Sequence, residues 1–318
     1  MPQMNGSLIT ATEFIIGGIP GLESYEKELF ALFLIIYIFT LLGNVCVIVL
    51  IVADRRLHTP MYFFIANLSL VDLVTTTTVS PKMLSAFLLH DNIISYSACF
   101  LQMYVFLSSE CTVCFMLAVM AFDRYVAICN PLRYSSIITN KTCILLAGCT
   151  WLSGFSFPAV SVYQTLHLQF CGPYTIPYCF CDFPPVLLLA CSDTSAVIQL
   201  GLTLALVGIN FPFVFVIASY AKILISILKI ASRDGRRKAF LTCSSHLLSV
   251  FTFYASSAFM YALVRSEAVS LQARTLITLS YAVFLPMINP LIYSFRNKDI
   301  KNAMGKLLYG SNPQRHHA

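Results

Sequence analysis

Seven stretches of mostly apolar residues, each long enough to cross the hydrocarbon core of a bilayer, dominate this chain. They run Leu29–Val52, Met61–Leu89, Cys99–Phe122, Cys143–Tyr163, Val197–Leu228, Phe240–Val264 and Thr275–Phe295. A crossing needs about 20 residues at the rise of an α-helix. Because no water satisfies backbone polar groups inside lipid, only helices or closed barrels can span it. Barrel strands alternate polar and apolar residues over about ten positions. These stretches do not alternate, so helices are expected, with Pro81, Pro158, Pro212, Pro286 and Pro290 as tolerated kinks. Composition agrees: 58% of residues are hydrophobic, only 11% are charged and the mean hydropathy is +0.78. A soluble domain carries about 25% charge, so a soluble enzyme, a disulfide miniprotein, a disordered chain and a nucleic-acid binder are all poor fits.

Lys and Arg in short loops set the orientation. With the N-terminus outside, the outer segments hold Lys27, Lys82, Arg265 and Arg274, and the other sixteen of the twenty basic residues lie inside. The formal charge of +6 is thus a cytoplasmic topology signal, favourable toward anionic lipid. The expectation is an all-α membrane protein, a seven-transmembrane-helix bundle, multi-pass, with its C-terminus in the cytoplasm. Residues 1–28 form an outer tail, 29–295 the bundle and 296–318 a cytoplasmic tail. The outer tail holds Glu13, Glu23, Glu26 and Glu28 and lacks the basic start of a cleavable signal, so the first span serves as the insertion signal. It also holds a glycosylation sequon at Asn5. In the inner tail, Ile300, Ala303, Met304, Leu307 and Leu308 oppose Lys298, Lys301, Asn302 and Lys306 at helical spacing. That pattern predicts a short amphipathic helix on the inner leaflet.

Ionisable groups inside spans are costly and default to functional hypotheses. Asp72 lies mid-span, near Asn44 and Asn289 if the helices pack in order. The cluster could hold water or a cation, or serve as polar glue between helices. Glu110 sits toward the outer half of the third span, with Phe106 one turn above and Cys111 beside it; a carboxyl that supports packing is the plainer reading. Asp123-Arg124 stands where lipid gives way to cytoplasm. It is either a snorkelling interface charge or an arginine held in one state and released to a partner in another. Gly201, Leu204, Ala205 and Gly208 in the fifth span, and Tyr254, Ser257, Ala258 and Tyr261 in the sixth, recur at helical spacing. Such faces suit either a small mostly apolar ligand pocket or close helix packing.

Of twelve cysteines, Cys99, Cys171, Cys179, Cys181 and Cys191 fall on the oxidising side, where pairing is expected with one left over. A soft-metal site built from His167, Cys179 and Cys181 is the weaker alternative, since a fourth ligand is lacking. No zinc-protease, nucleophile-elbow or phosphate-loop motif is present. No enzymatic activity, cofactor or metal is therefore expected. Channel-like charge rings and transporter-like repeats are equally missing from the sequence.

Several strings then carry a resemblance. Gly43-Asn44, LHTPMYFFIANLSLVDL (Leu57–Leu73), PKML (Pro81–Leu84), MAFDRYVAIC (Met120–Cys129), Ser219-Tyr220, KAFLTCSSHL (Lys238–Leu247) and PMINPLIYSFRN (Pro286–Asn297) occur in order across the whole chain. Together they resemble the odorant receptors, a branch of the rhodopsin-like G-protein-coupled receptors. The resemblance implies disulfides Cys99–Cys181 and Cys171–Cys191, leaving Cys179 unpaired or competing for Cys99. It implies an activation switch at Asp123, Arg124, Tyr125, Tyr220, Asn289, Pro290 and Tyr293, with Tyr254 as the toggle aromatic of the sixth span. It further implies a small odorant bound between the third, fifth and sixth spans, with Phe106, Leu107, Glu110, Cys111, Leu204, Gly208, Tyr254, Ser257, Ala258 and Tyr261 as contacts. The implied partner is a stimulatory, olfactory-type heterotrimeric G protein that raises cyclic AMP at the plasma membrane. The chain departs from the family pattern where Tyr178-Cys179-Phe180-Cys181-Asp182 stands for a His-Phe-Phe-Cys-Asp loop. It departs again where Val113 is neutral, at a position often acidic, while Glu110 lies almost one turn further out.

Overall fold

A computed structural model describes residues 12–264, 269–296 and 298–309, with the side chains at 238, 242, 260–264, 294–296, 298 and 307–309 outside the description. In chain order the elements are β1 (Glu13–Ile16), α1 (Glu26–Ala53), α2 (Pro60–Leu89), β2 (Ile93–Ser95) and α3 (Tyr96–Cys129). There follow α4 (Tyr134–Ile137), α5 (Asn140–Leu166), β3 (Thr175–Ile176), α6 (Phe183–Leu187), α7 (Ser195–Ala205) and α8 (Phe211–Leu228). The last are α9 (Arg233–Val264), α10 (Leu271–Arg296) and α11 (Lys298–Tyr309). Seven rods make the bundle: α1, α2, α3, α5, the α7–α8 pair, α9 and α10. Among the described residues, six of them are long and apolar enough to cross a membrane on length and composition alone. The exception, α9, has the length, at 32 residues. Its middle is diluted by Ser244, Ser245, His246, Ser249 and Thr252.

The third rod is the hub: α3 packs on α2, α5, α8 and α9, while α10 closes the ring against α1, α2 and α9. Small residues allow the closest approaches, as membrane helices require. A Cβ at Gly154 would stand 2.0 Å from Thr112 Oγ1, and one at Gly43 3.1 Å from Pro290 Cγ. Polar cross-links add direction. Trp151 donates its indole N–H to Asn67 Oδ1 (3.2 Å), tying α5 to α2, and Tyr104 donates to the Phe155 carbonyl (3.0 Å).

Two features add to the expected bundle of proline-kinked helices. The fifth rod contains a π-helical turn, Leu206–Asn210, between α7 and α8. Pro212 lacks the N–H that an α-helical ladder would direct back to this turn, so the ladder widens there. Gly201, Leu204, Ala205 and Gly208 therefore do not share one continuous α-helical face. The chain is also not purely helical. The segment Glu13–Ile16 alternates exposed and buried residues and forms the central strand of a small sheet in the order β2-β1-β3. Phe14 pairs with Ile94 in the antiparallel ladder, and Ile16 with Ile176 in the parallel one. Phe14 is wholly buried among Tyr96, Phe100, Phe170 and Tyr174. Among the described residues before Glu26, Glu13–Ile16 thus form a packed strand. Asn5 lies outside the described residues.

At the opposite end, α11 buries Ile300 and Ala303 and exposes Lys301 and Asn302, as the amphipathic pattern predicts. Tyr62 of α2 donates to Asp299 Oδ2 at 3.0 Å, which holds the start of α11 against the bundle.

Candidate ligand pocket and switch

The loop between α5 and α7 lies over one end of the bundle. Disulfides join Cys99, at the start of α3, to Cys181, and Cys171 to Cys191 within the loop. Gln102 adds a second fastening: its amide donates to the Thr78 carbonyl (2.9 Å) and its oxygen accepts the Cys181 N–H (2.9 Å). Cys179 is free and buried beside Phe180, and burial pushes its thiol up to about 12, so it stays protonated and unreactive. His167 is occupied with the Tyr163 carbonyl (2.8 Å), and no group of three metal-ligating side chains occurs among the described residues. Asp182 is 3% exposed and caps α6 by accepting the Phe183 N–H at 2.8 Å; burial raises its carboxyl to about 6.

Beneath this lid the polar centre is Glu110. Tyr281 of α10 donates its hydroxyl to Glu110 Oε2, and Ser257 of α9 stands 3.3 Å from the same hydroxyl. One carboxylate therefore links α3, α10 and α9. Glu110 is only half-buried although it lies mid-bundle. Phe106 packs edge-on against Phe180 of the lid at 5.1 Å. Leu107 is half-buried, and Cys111 is buried where a Cβ at Gly208 would lie 3.1 Å from its sulfur. Tyr254 packs on Phe213 (4.4 Å) and Phe253 (5.2 Å). Leu204 is half-buried, whereas Ala258 is exposed on α9, away from this group. The side chain of Tyr261 lies outside the described residues. Tyr281 was not singled out from the sequence, where it is one aromatic among apolar neighbours; only its hydroxyl bond across to Glu110 reveals it.

Midway down, Asn289 donates to both oxygens of Asp72 (3.2 and 3.0 Å). Asn44 does not join them directly: its amide donates to the Thr40 and Pro286 carbonyls (3.0 and 3.1 Å). Pro290 breaks the ladder beside Gly43, and Tyr293 is 1% exposed. At the far end Arg124 holds Asp123 through Nε (2.9 Å) and Nη2 (2.5 Å), with Asp123 fully buried. Tyr134 of α4 donates to the other Asp123 oxygen at 2.7 Å; its burial, and next the adjacent carboxylate, raise its phenol pKa so that it remains a donor. Tyr125 is half-buried nearby, and Tyr220 bonds His246 Nδ1 at 2.5 Å. The other nitrogen of His246 reaches the Leu117 carbonyl at 3.1 Å, so α8, α9 and α3 are joined there. No function was read for Tyr134 or His246 from spacing alone, although His246 lies in one of the strings quoted above.

A membrane bundle with a disulfide-pinned lid at one end and a buried Asp-Arg pair at the other is a seven-helix receptor architecture. The crystal structure of squid rhodopsin matches it with a TM-score of 0.74 over 92% of this chain and 87% of that one, at 19% identity, a likeness of fold. The profile described as "Olfactory receptor" matches residues 33–310. Olfactory receptor 2AT4 of Homo sapiens is 43% identical over 305 residues, covering 96% of this chain and 95% of that protein. Olfactory receptor 8A1 of Mus musculus is 46% identical over 299 residues, covering 94% and 96%. The chain belongs to the olfactory receptor family, whose members are multi-pass membrane receptors rather than enzymes.

Proposed function

We propose that this odorant receptor binds a small, polar or amine-bearing odorant in the space beside Glu110 and activates a stimulatory, olfactory-type G protein, raising cyclic AMP. The observation that carries the ligand reading is the half-buried Glu110 carboxylate, held by one phenol beneath a pinned lid. In such a low-dielectric setting an ion pair gains far more than in water. Phe106, Leu107, Cys111, Leu204, Gly208, Tyr254 and Ser257 supply mostly apolar surroundings, as ligand sites require, with Ala258 more exposed on α9. Disulfides at the lid end favour an extracellular lid and N-terminus, and the basic residues at the Asp123-Arg124 end favour the cytoplasm. Arg124, once released by Asp123, is the group that meets the G protein, with Tyr125, Tyr220, Asn289, Pro290 and Tyr293 repacking around it.

The test is a cell assay of cyclic AMP against a chemically diverse panel of amines and neutral odorants, with and without the olfactory G protein. Responses that require the G protein and favour amines are expected. Ligand responses that persist without any G protein would overturn the coupling assignment, and a panel answered only by neutral apolar compounds would overturn the ligand class.

A further inference from the structure

Away from Glu110, the structure has a groove of about 530 Å³ between the lid-end halves of α2 and α3. Its volume lies within the roughly 300–1,000 Å³ of small-molecule sites. The walls are Thr78 and Lys82 of α2, Ile93, Ile94 and Ser95 of β2, and Ala98, Leu101, Gln102 and Val105 of α3. Leu101 is 62% exposed and Ile93 53% exposed, so the groove opens outward from the bundle, toward lipid.

Polarity is graded along it. Lys82 lies one turn nearer the lid end than Thr78, and Ser95 begins the α3 side, whereas Leu101 and Val105 lie deeper. Among the described residues, Lys82 is the only cation that lines the groove. Its ammonium donates to the Asp91 carbonyl and to Asp91 Oδ2, both at 2.8 Å, and Ser85 also reaches Oδ2 at 3.3 Å. An ammonium has three donors, so one remains for an incoming acceptor. Asp91 is the more exposed partner, 55% against 19% for Lys82. The Lys82 hydrogen bond also holds the Asp91 carboxyl below its usual range, so that carboxylate stays ionised at neutral pH. Lys82 lines the groove and Asp91, which is not one of its walls, is bonded to it, so a plus-minus pair stands at one edge of an apolar trough.

We propose that this groove binds a phosphocholine lipid, Lys82 donating to the phosphate, Asp91 facing the quaternary ammonium, and one acyl chain lying on Leu101 and Val105. A neutral zwitterion matches the pair; an anionic headgroup would meet the Asp91 carboxylate. This rests on the orientation proposed above only for the leaflet that supplies the lipid, since anionic lipid is concentrated on the cytoplasmic side.

The test uses the full-length receptor in nanodiscs of phosphatidylcholine and phosphatidylglycerol, which present both lipids to both ends and so do not depend on orientation. A trace of photoactivatable phosphatidylcholine, or of the matched phosphatidylglycerol, is cross-linked and the labelled peptides are mapped. Phosphatidylcholine should label the segment 93–105 well above the lipid-facing surface of α5, and the phosphatidylglycerol probe should label it less. Leu101→Trp, which fills the trough from its lipid side, and Lys82→Gln should each lower that labelling about tenfold, as expected for one charge-assisted contact or its equivalent in packing. Equal labelling by the two probes in the wild type, or labelling unchanged in both variants, would overturn the proposal. The wild-type probe ratio decides the matter if either variant fails to fold.

Discussion

Tyr281 of α10 donates its hydroxyl to the Glu110 carboxylate of α3, a bond between residues 171 apart in sequence. The contact places the one acidic group of the lid-end half of α3 against a phenol, not against a cation. The carboxyl is therefore held in place by a hydrogen bond and not by an opposite charge. A ligand ammonium could complete the charge balance in a way that no described neighbour does.

The first prediction follows from that arrangement. Glu110→Gln keeps the size and the acceptor for Tyr281 but removes the charge. Responses to amines should fall by about tenfold or more, the scale of one charge-assisted bond, while responses to neutral odorants are kept. Tyr281→Phe retains the carboxylate and should retain the preference for amines. Dose–response curves for both variants decide this, and an equal loss of both odorant classes in Glu110→Gln would sink the idea.

At the other end, Tyr134 and Arg124 compete for no atom: each holds a different oxygen of Asp123. Removing the phenol donor with Tyr134→Phe loosens Asp123 and, through it, Arg124. One lost hydrogen bond of about 1 kcal/mol corresponds to roughly fivefold more of the released state. Basal cyclic AMP should rise by that order at equal surface expression. Arg124→Ala should abolish signalling while the receptor still reaches the surface. Normal output from Arg124→Ala would refute the coupling role.

Much of this architecture was legible because lipid imposes it. Seven apolar stretches, basic loops on one side and the few in-span carboxyls Asp72, Glu110 and Asp123 are all consequences of the cost of polar groups in hydrocarbon. Features settled by tertiary packing were not legible. The strand Glu13–Ile16 gains its ladder only because Ile94 and Ile176 are brought beside it. The π turn before Pro212 is a local consequence of one missing N–H, but proline alone does not separate a kink from a widened turn. Tyr281 and Tyr134 are ordinary aromatics until the fold brings their hydroxyls to Glu110 and Asp123. Asn44 shows the same limit, since proximity to Asp72 was expected and the Pro286 carbonyl is what it bonds.

The lid yields a third prediction. Cys181 is bonded to Cys99, and Cys179 is a buried protonated thiol packed beside Phe180. Cys179→Ser should therefore leave surface expression and signalling within about twofold of wild type, since it changes one atom at a site without a covalent partner. Cys181→Ser should abolish surface expression, because the link between α3 and the loop is lost. Disulfide mapping by mass spectrometry provides the independent check, and a Cys99–Cys179 bridge in the native receptor would reverse both expectations.

The last prediction concerns pH. Asp182 is 3% exposed, and burial raises its carboxyl from 3.8 to about 6, so the folded lid favours the protonated form. Its contribution to stability is complete below about pH 4 and is lost as pH rises through about 6, by roughly 3 kcal/mol at most. Asp182→Asn still offers an oxygen to the Phe183 N–H yet does not ionise. The melting temperature of the wild type relative to Asp182→Asn should therefore decline between pH 4 and pH 7. Thermal unfolding of the two purified receptors across this range makes the comparison, in which ionisations common to both cancel. Parallel curves would show that Asp182 keeps an ordinary acidity and that the lid end of the bundle is wetter than its burial implies.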